Sequence, residues 1–192
     1  MNKNLEKAVE VFKSGGIVIF PTDTAFGIGC RIDDEKAIQK MFALRKRSNE
    51  KAVPVLVSSI EMAQDYVEEI PSQVSALMKK YWPGGLTIVL KCKKEKVPNL
   101  VRGGGLTIGI RMPNHSTVRN LINQVGVPIL APSANFSGGQ TPFNFSELNP
   151  ELVELVDFVM PGRCSLKRAS TVIDCSTQPF KIIREGAVEI NF

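Results

Sequence analysis

The chain lacks most of the residues from which familiar catalytic centres are built. It has one histidine, His115, and four cysteines, Cys30, Cys92, Cys164 and Cys175, none paired as Cys-x-x-Cys. A zinc site is therefore not expected, and the cysteines read as buried thiols, since nothing marks the chain as secreted. The patterns GxxxxGK[ST], HExxH and GxSxG are absent, which removes the P-loop, the zincin helix and the nucleophile elbow. Gly27-x-Gly29 begins a dinucleotide fingerprint, but Ile32 stands where its third glycine is required. No apolar run approaches a membrane span, and Met1 to Lys7 leads into an amphipathic segment and not a signal-peptide core. A cytoplasmic location is expected. Repeats, low-complexity tracts and long linkers are missing too, so residues 1–192 read as one domain.

What is present is a globular composition, 43% hydrophobic and 22% charged, enough for one sizeable core. The net charge of +5 suits an anionic partner such as a nucleotide or RNA, although many proteins that bind neither are as basic.

Along the chain, Leu5, Ala8, Val9 and Phe12 fall at helical spacing and predict a helix over residues 4–14, ended by Gly15-Gly16. Residues 17–20 read as a buried strand that runs into a loop over 21–29 carrying two hydroxyls, a carboxylate and two glycines. Asp33 or Asp34 caps the next helix, whose apolar face is Ala37, Ile38, Met41 and Phe42. That helix ends in Arg45-Lys46-Arg47. Such cations either oppose the negative end of the helix dipole or clamp an anion. Residues 52–57 read as a strand, 59–67 and 71–81 as helices, 82–85 as a turn, and 86–90 as a strand. In the strand over 106–111, Thr107, Gly109 and Arg111 share one face by period two. His115 starts a helix with Val118, Leu121, Ile122 and Val125 as its buried stripe, and no Ser or Cys partner marks it as catalytic. A strand over 127–131 stops at Pro132-Ser133-Ala134-Asn135, turning small polar side chains out where open α/β sheets bind ligands. The segment alone reads more readily as an ordinary turn. A helix over 146–156, a strand over 157–160, a basic loop over 161–168 and closing segments over 170–175 and 180–186 complete the chain. Hydroxyls, Asn and Arg thus gather at strand ends, which suits a polar, anionic small ligand and supplies no obvious acid–base pair.

From end to end the chain resembles the YrdC-type threonylcarbamoyl-AMP synthase family. The resemblance rests on GGIVIFPTDTAFGIG at 15–29, ALRKR at 43–47, YWPGGLTIVL at 81–90, LTIGIRMPNH at 106–115, GVPILAPSAN at 126–135, STVIDC at 170–175 and IIREGAV at 182–188. It implies an α/β fold, a twisted, mostly β sheet with flanking helices around a large basic cavity. The implied activity joins L-threonine, bicarbonate and ATP into threonylcarbamoyl-adenylate with release of pyrophosphate, using Mg2+. A partner transferase would then modify adenosine 37 of tRNA, and no membrane is involved. The resemblance places Thr22, Arg111, Ala131 and Ser170 at threonine, with Arg111 as a bidentate partner of its carboxylate. It places Arg45, Arg47, Lys51, Thr107, Ser133, Asn135, Thr141 and Arg184 at ATP, with Asn135 supporting the loop. Arg45 stands where the family usually has lysine, and asparagine is common at position 51. The additional C-terminal domain of the family's long members is expected to be missing. No general base is named. The rival readings are a non-synthase paralogue that binds RNA or a nucleotide, and a carbamoyl-transfer domain with another acceptor.

Overall fold

The computed structural model describes residues 3–190. Helix α1, Lys3–Lys13, buries Leu5, Ala8, Val9, Val11 and Phe12. It lies against α5, Ser116–Val125, whose stripe Val118, Leu121, Ile122 and Val125 is buried as its spacing predicts. His115 is the N-cap of α5, its Nδ1 accepting from the Val118 amide at 3.4 Å. Gly126 ends that helix at φ +85°, a left-handed conformation that side chains disfavour.

Helix α2, Glu35–Leu44, begins at Asp34, whose Oδ1 accepts from the Ala37 amide at 3.0 Å. One orphan donor of the first turn is thereby satisfied. Asp34→Ala is expected to cost about 1 kcal/mol and to lower the melting temperature by about 2–4 °C, measured by thermal unfolding.

The strands form two sheets. The smaller joins β1, Val18–Phe20, to β2, Gly27–Gly29, antiparallel, and to β7, Phe158–Val159, parallel. The larger contains β3 (Val55–Leu56), β4 (Leu86–Lys91), β5 (Thr107–Arg111), β6 (Ile129–Leu130), β8 (Thr171–Asp174) and β9 (Lys181–Arg184), in the order β6-β3-β5-β4-β8-β9. Its pairings are mixed: β3 with β5 and β4 with β8 are parallel, the others antiparallel. This is the expected α/β class, a twisted sheet with flanking helices. Helices α3, Ile60–Gln64, and α4, Ser72–Tyr81, cover the main core, which holds Ile88, Ile108, Ile110 and Ile173 at 0–1% exposure.

Several elements differ from expectation. The stretch 21–29 is not all loop, because Gly27–Gly29 pairs with β1. The same stretch also reaches the larger sheet. The amide of Ile28 donates to Pro132 O, that of Ala134 to Phe26 O and that of Leu130 to Cys30 O. A Cβ on Gly29 would sit 1.8 Å from the Leu130 carbonyl oxygen, so this close approach needs glycine. The strand over 52–57 shrinks to two residues beside Pro54, which has no amide to donate. The helix over 146–156 is broken in two. A 3-10 turn at Phe145–Glu147 is followed by α6, Pro150–Glu154, capped by Asn149. Pro150 cannot continue a helix from the residues before it, but it suits the first position of a new one.

Candidate active site

Strands β5, β4 and β8 lie side by side and turn alternate side chains to one face. Thr107, Gly109 and Arg111 come from β5, Thr87 and Val89 from β4, and Val172 and Asp174 from β8, with Ser170 just before it. The register sets Val89 beside both Gly109 and Asp174, and Thr87 beside Val172. These residues line a cleft of about 520 Å³. Its remaining walls include the loop after β1 (Thr22, Thr24 to Gly27), the end of α2 (Arg45, Arg47), Ala52 to Pro54, Ala131 to Ser133, Thr141, and Ile183 and Arg184 on β9.

Four arginines meet this cleft, and each is held differently. Arg111 is buried, its side chain 6% exposed, and its Nη2 donates to Asp23 Oδ1 at 2.6 Å. Its Nη1 donates to Thr24 Oγ1, which lies 3.0 Å from Thr22 Oγ1. Nε of Arg111 and Oδ2 of Asp23 are buried without a partner among the described residues. Burial pulls the Arg111 pKa down, and the Asp23 carboxylate opposes that shift. Arg184 donates through Nε and Nη2 to Ser170 O and through Nη2 to Ser170 Oγ. Ser170 Oγ also lies 2.8 Å from Thr87 Oγ1. Arg47 donates to the carbonyls of Lys51 and Ala52 at 3.2 and 2.7 Å.

Arg45 is 2% exposed. Its Nε donates to Asn135 O at 3.0 Å, and its Nη2 to Ser133 O at 2.9 Å and Asn135 Oδ1 at 3.3 Å. The helix-end cation is thus a strut between α2 and the Ser133–Asn135 turn, and its Nη1 is buried without a partner. Burial, reinforced by nearby Arg47, pushes its pKa down to about 10, so it stays a cation at neutral pH. Neither sequence reading of this residue included the strut, because its acceptors lie 88 and 90 positions away.

The architecture and the sequence have known counterparts. The family model for Sua5, YciO and YrdC proteins, described as telomere recombination, matches residues 10–186. The chain belongs to the Sua5/YciO/YrdC family. Threonylcarbamoyl-AMP synthase of Pyrococcus abyssi is 33% identical over 184 residues, which are 95% of this chain and 54% of that protein. The structure of P. abyssi Sua5 complexed with L-threonine matches with a TM-score of 0.88 at 32% identity, over 95% of this chain and 54% of that one. Escherichia coli YciO matches with a TM-score of 0.85 at 26% identity, over 97% of this chain and 90% of that one. The chain therefore spans about half the length of the P. abyssi and Bacillus subtilis synthases that it matches.

Of the residues that the family resemblance assigns to threonine, Thr22, Arg111, Ala131 and Ser170 all line the one cleft. Of those it assigns to ATP, Arg45, Arg47, Thr107, Ser133, Thr141 and Arg184 line it as well. Lys51 and Asn135 do not. Lys51 is exposed and lends only its carbonyl, to Arg47. Asn135 spends its amide group inside the turn: Oδ1 accepts from Ser133 Oγ at 2.6 Å, and Nδ2 donates to Gly139 O. The structure thus makes Asn135 part of the support behind the wall. Arg111 already spends one donor of each terminal nitrogen on Thr24 and Asp23, which fixes its fork at the cleft wall with a second N–H on each still to give. Thr24, Thr87, Val172 and Asp174 line the cleft unforeseen. Period two from Ser170, through Val172 to Asp174, would have found the last two.

Proposed function

We propose that this chain forms threonylcarbamoyl-adenylate from L-threonine, bicarbonate and ATP, releasing pyrophosphate. One observation carries the reading: ten side chains that the resemblance divides between threonine and ATP surround a single cleft. Family membership and the likeness to a threonine-bound Sua5 support it. Threonine's amine and bicarbonate combine to a carbamate with loss of water. A carbamate oxygen then attacks the α-phosphorus, and pyrophosphate leaves with the electron pair of the broken bond. The protein's share is to orient the reactants and to stabilise negative charge. Donors on Arg111 suit the amino-acid carboxylate, whereas Arg45, Arg47 and Arg184 offset triphosphate charge. Thr22 and Ser170 would read the substrate hydroxyl.

Asp174, the one carboxylate among the described residues lining the cleft, fits a Mg2+ carried in by ATP. Its Oδ1 is taken by the Ser176 amide and hydroxyl. Mg2+ in such sites needs only one or two carboxylates besides the phosphates, and it would neutralise triphosphate charge. The product would pass to a transferase acting on adenosine 37 of tRNA, in the cytoplasm. Among the described residues no helix is long and apolar enough to cross a membrane.

The test is pyrophosphate release from ATP and bicarbonate with L-threonine or L-valine. A site with buried hydroxyl partners rejects an analogue that leaves them unpaired. Threonine is expected to be faster by at least about a hundredfold. Equal rates would refute the reading. Arg45, where the family usually has lysine, favours as a second reading nucleotide or RNA binding without synthesis. Nucleotide binding with no release under any amino acid would select it.

A further inference from the structure

The four arginines of the cleft are not electrically alike. Among the described residues the ion pairs are Lys7–Glu10, Arg31–Asp33, Lys40–Asp157 and Arg111–Asp23. Arg45, Arg47 and Arg184 face only neutral oxygens: the carbonyls of Ser133, Asn135, Lys51, Ala52 and Ser170, the Asn135 amide and the Ser170 hydroxyl. Their charge stays whole, while Arg111 has its charge cancelled at 2.6 Å by a carboxylate that is 1% exposed. Burial makes that cancellation stronger than it would be at a surface.

We propose that Asp23 is a specificity-determining positioning residue that divides the cleft by charge. It leaves three arginines for a polyphosphate and keeps the Arg111 end neutral, so that only a singly charged carboxylate is drawn there. Asp23 does not line the cleft, and among the described residues its carboxylate is hydrogen-bonded to Arg111 alone, so that it reaches the cleft through that guanidinium. Its unpartnered Oδ2 adds to the effect, because a carboxylate oxygen behind the guanidinium opposes the approach of phosphate. Without Asp23, Arg111 becomes a fourth free cation within the field of Arg184, whose charge already acts on it. Phosphate oxygens would then invade the amino-acid end. The assignment of that end to an amino acid rests on the function proposed above; the division of charge does not.

The test is calorimetric titration of the full chain with inorganic tripolyphosphate and, separately, with L-threonine. In the wild type the two are expected to bind together, neither weakening the other more than about twofold. Asp23→Asn, which keeps the shape and removes the charge, is expected to tighten tripolyphosphate about tenfold or more. It also makes tripolyphosphate compete with threonine. Asp23→Glu should restore the wild-type pattern. A purely structural role would weaken threonine and leave tripolyphosphate unchanged, and that result overturns the proposal. Should Asp23→Asn not fold, the double variant Asp23→Asn/Arg111→Gln, neutral as the native pair is, decides. Tripolyphosphate affinity within about twofold of wild type supports the division, and a tenfold loss shows that Arg111 holds polyphosphate and refutes it. Failure of the wild type to bind L-threonine would count against the synthase reading alone, because the tripolyphosphate comparison is independent of it.

Discussion

Arg111→Ala is expected to abolish threonine-dependent pyrophosphate release and to lower the melting temperature by about 6–20 °C. The stability loss follows from the buried pair. Removing one member leaves the Asp23 carboxylate, 1% exposed, without its counter-charge. Breaking such a pair costs about 3–5 kcal/mol, and in a chain of this length each kcal/mol moves the melting temperature by about 2–4 °C. Replacing both members separates fold from function. Asp23→Leu/Arg111→Met removes both charges from the interior, and such replacements are often neutral or stabilising. The double variant should therefore melt well above Arg111→Ala and yet release no pyrophosphate. Substantial activity in either would remove Arg111 from the site.

The second large effect is expected at Arg45. Arg45→Ala takes three hydrogen bonds from the Ser133–Asn135 turn, and it deprives Asn135 O of its donor. Bonds to a charged donor are worth about 1.5–3 kcal/mol each, and some acceptors will find water. A loss of about 2–4 kcal/mol is expected, which shifts the melting temperature by about 4–16 °C. ATP affinity should fall with it, because Ser133 and Thr141 form the wall that the turn holds in place. Arg45→Lys keeps the charge but replaces a planar fork by a single ammonium, which cannot span two carbonyls in the same way. Its stability should lie between the two. Thermal unfolding and ATP titration check both variants. Unchanged ATP affinity in a folded Arg45→Ala would show that the turn keeps its shape unaided.

These two residues also mark where the sequence is legible. The face Thr107, Gly109, Arg111 was readable because a strand alternates strictly, and one residue fixes the next but one. The stripes of α1, α2 and α5 were readable for the same kind of reason, at a period of 3.6. What Arg111 and Arg45 hold could not be read. Asp23 lies 88 positions from Arg111, and the carbonyls that Arg45 binds lie as far away. No local pattern encodes such a partner. The strand Gly27–Gly29 was hidden by its glycines, which look like loop residues until Leu130 is seen pressing against one of them. Pro150 marks the break in the expected helix, because a proline opens a new helix and cannot continue one.

The parallel pairings have a consequence for how the molecule is made. Val18 and Ile19 of β1 take Phe158 and Val159 as parallel partners, and Leu86 to Val89 of β4 take Thr171 to Asp174. Contacts of such sequence separation slow folding, because loop-closure entropy is lost before the pairing repays it. A ribosome adds about 5–20 residues per second. For several seconds, then, a nascent chain carries β1 and β4 with an open edge each, rich in Val, Ile and Leu. Unpaired strand edges of this kind are aggregation-prone. The cleft cannot exist before residue 184 has been added, since Arg184 is part of it. A chain released early should be recovered as aggregate, and a holdase that covers apolar strands should raise the yield of intact protein more than it changes its melting temperature.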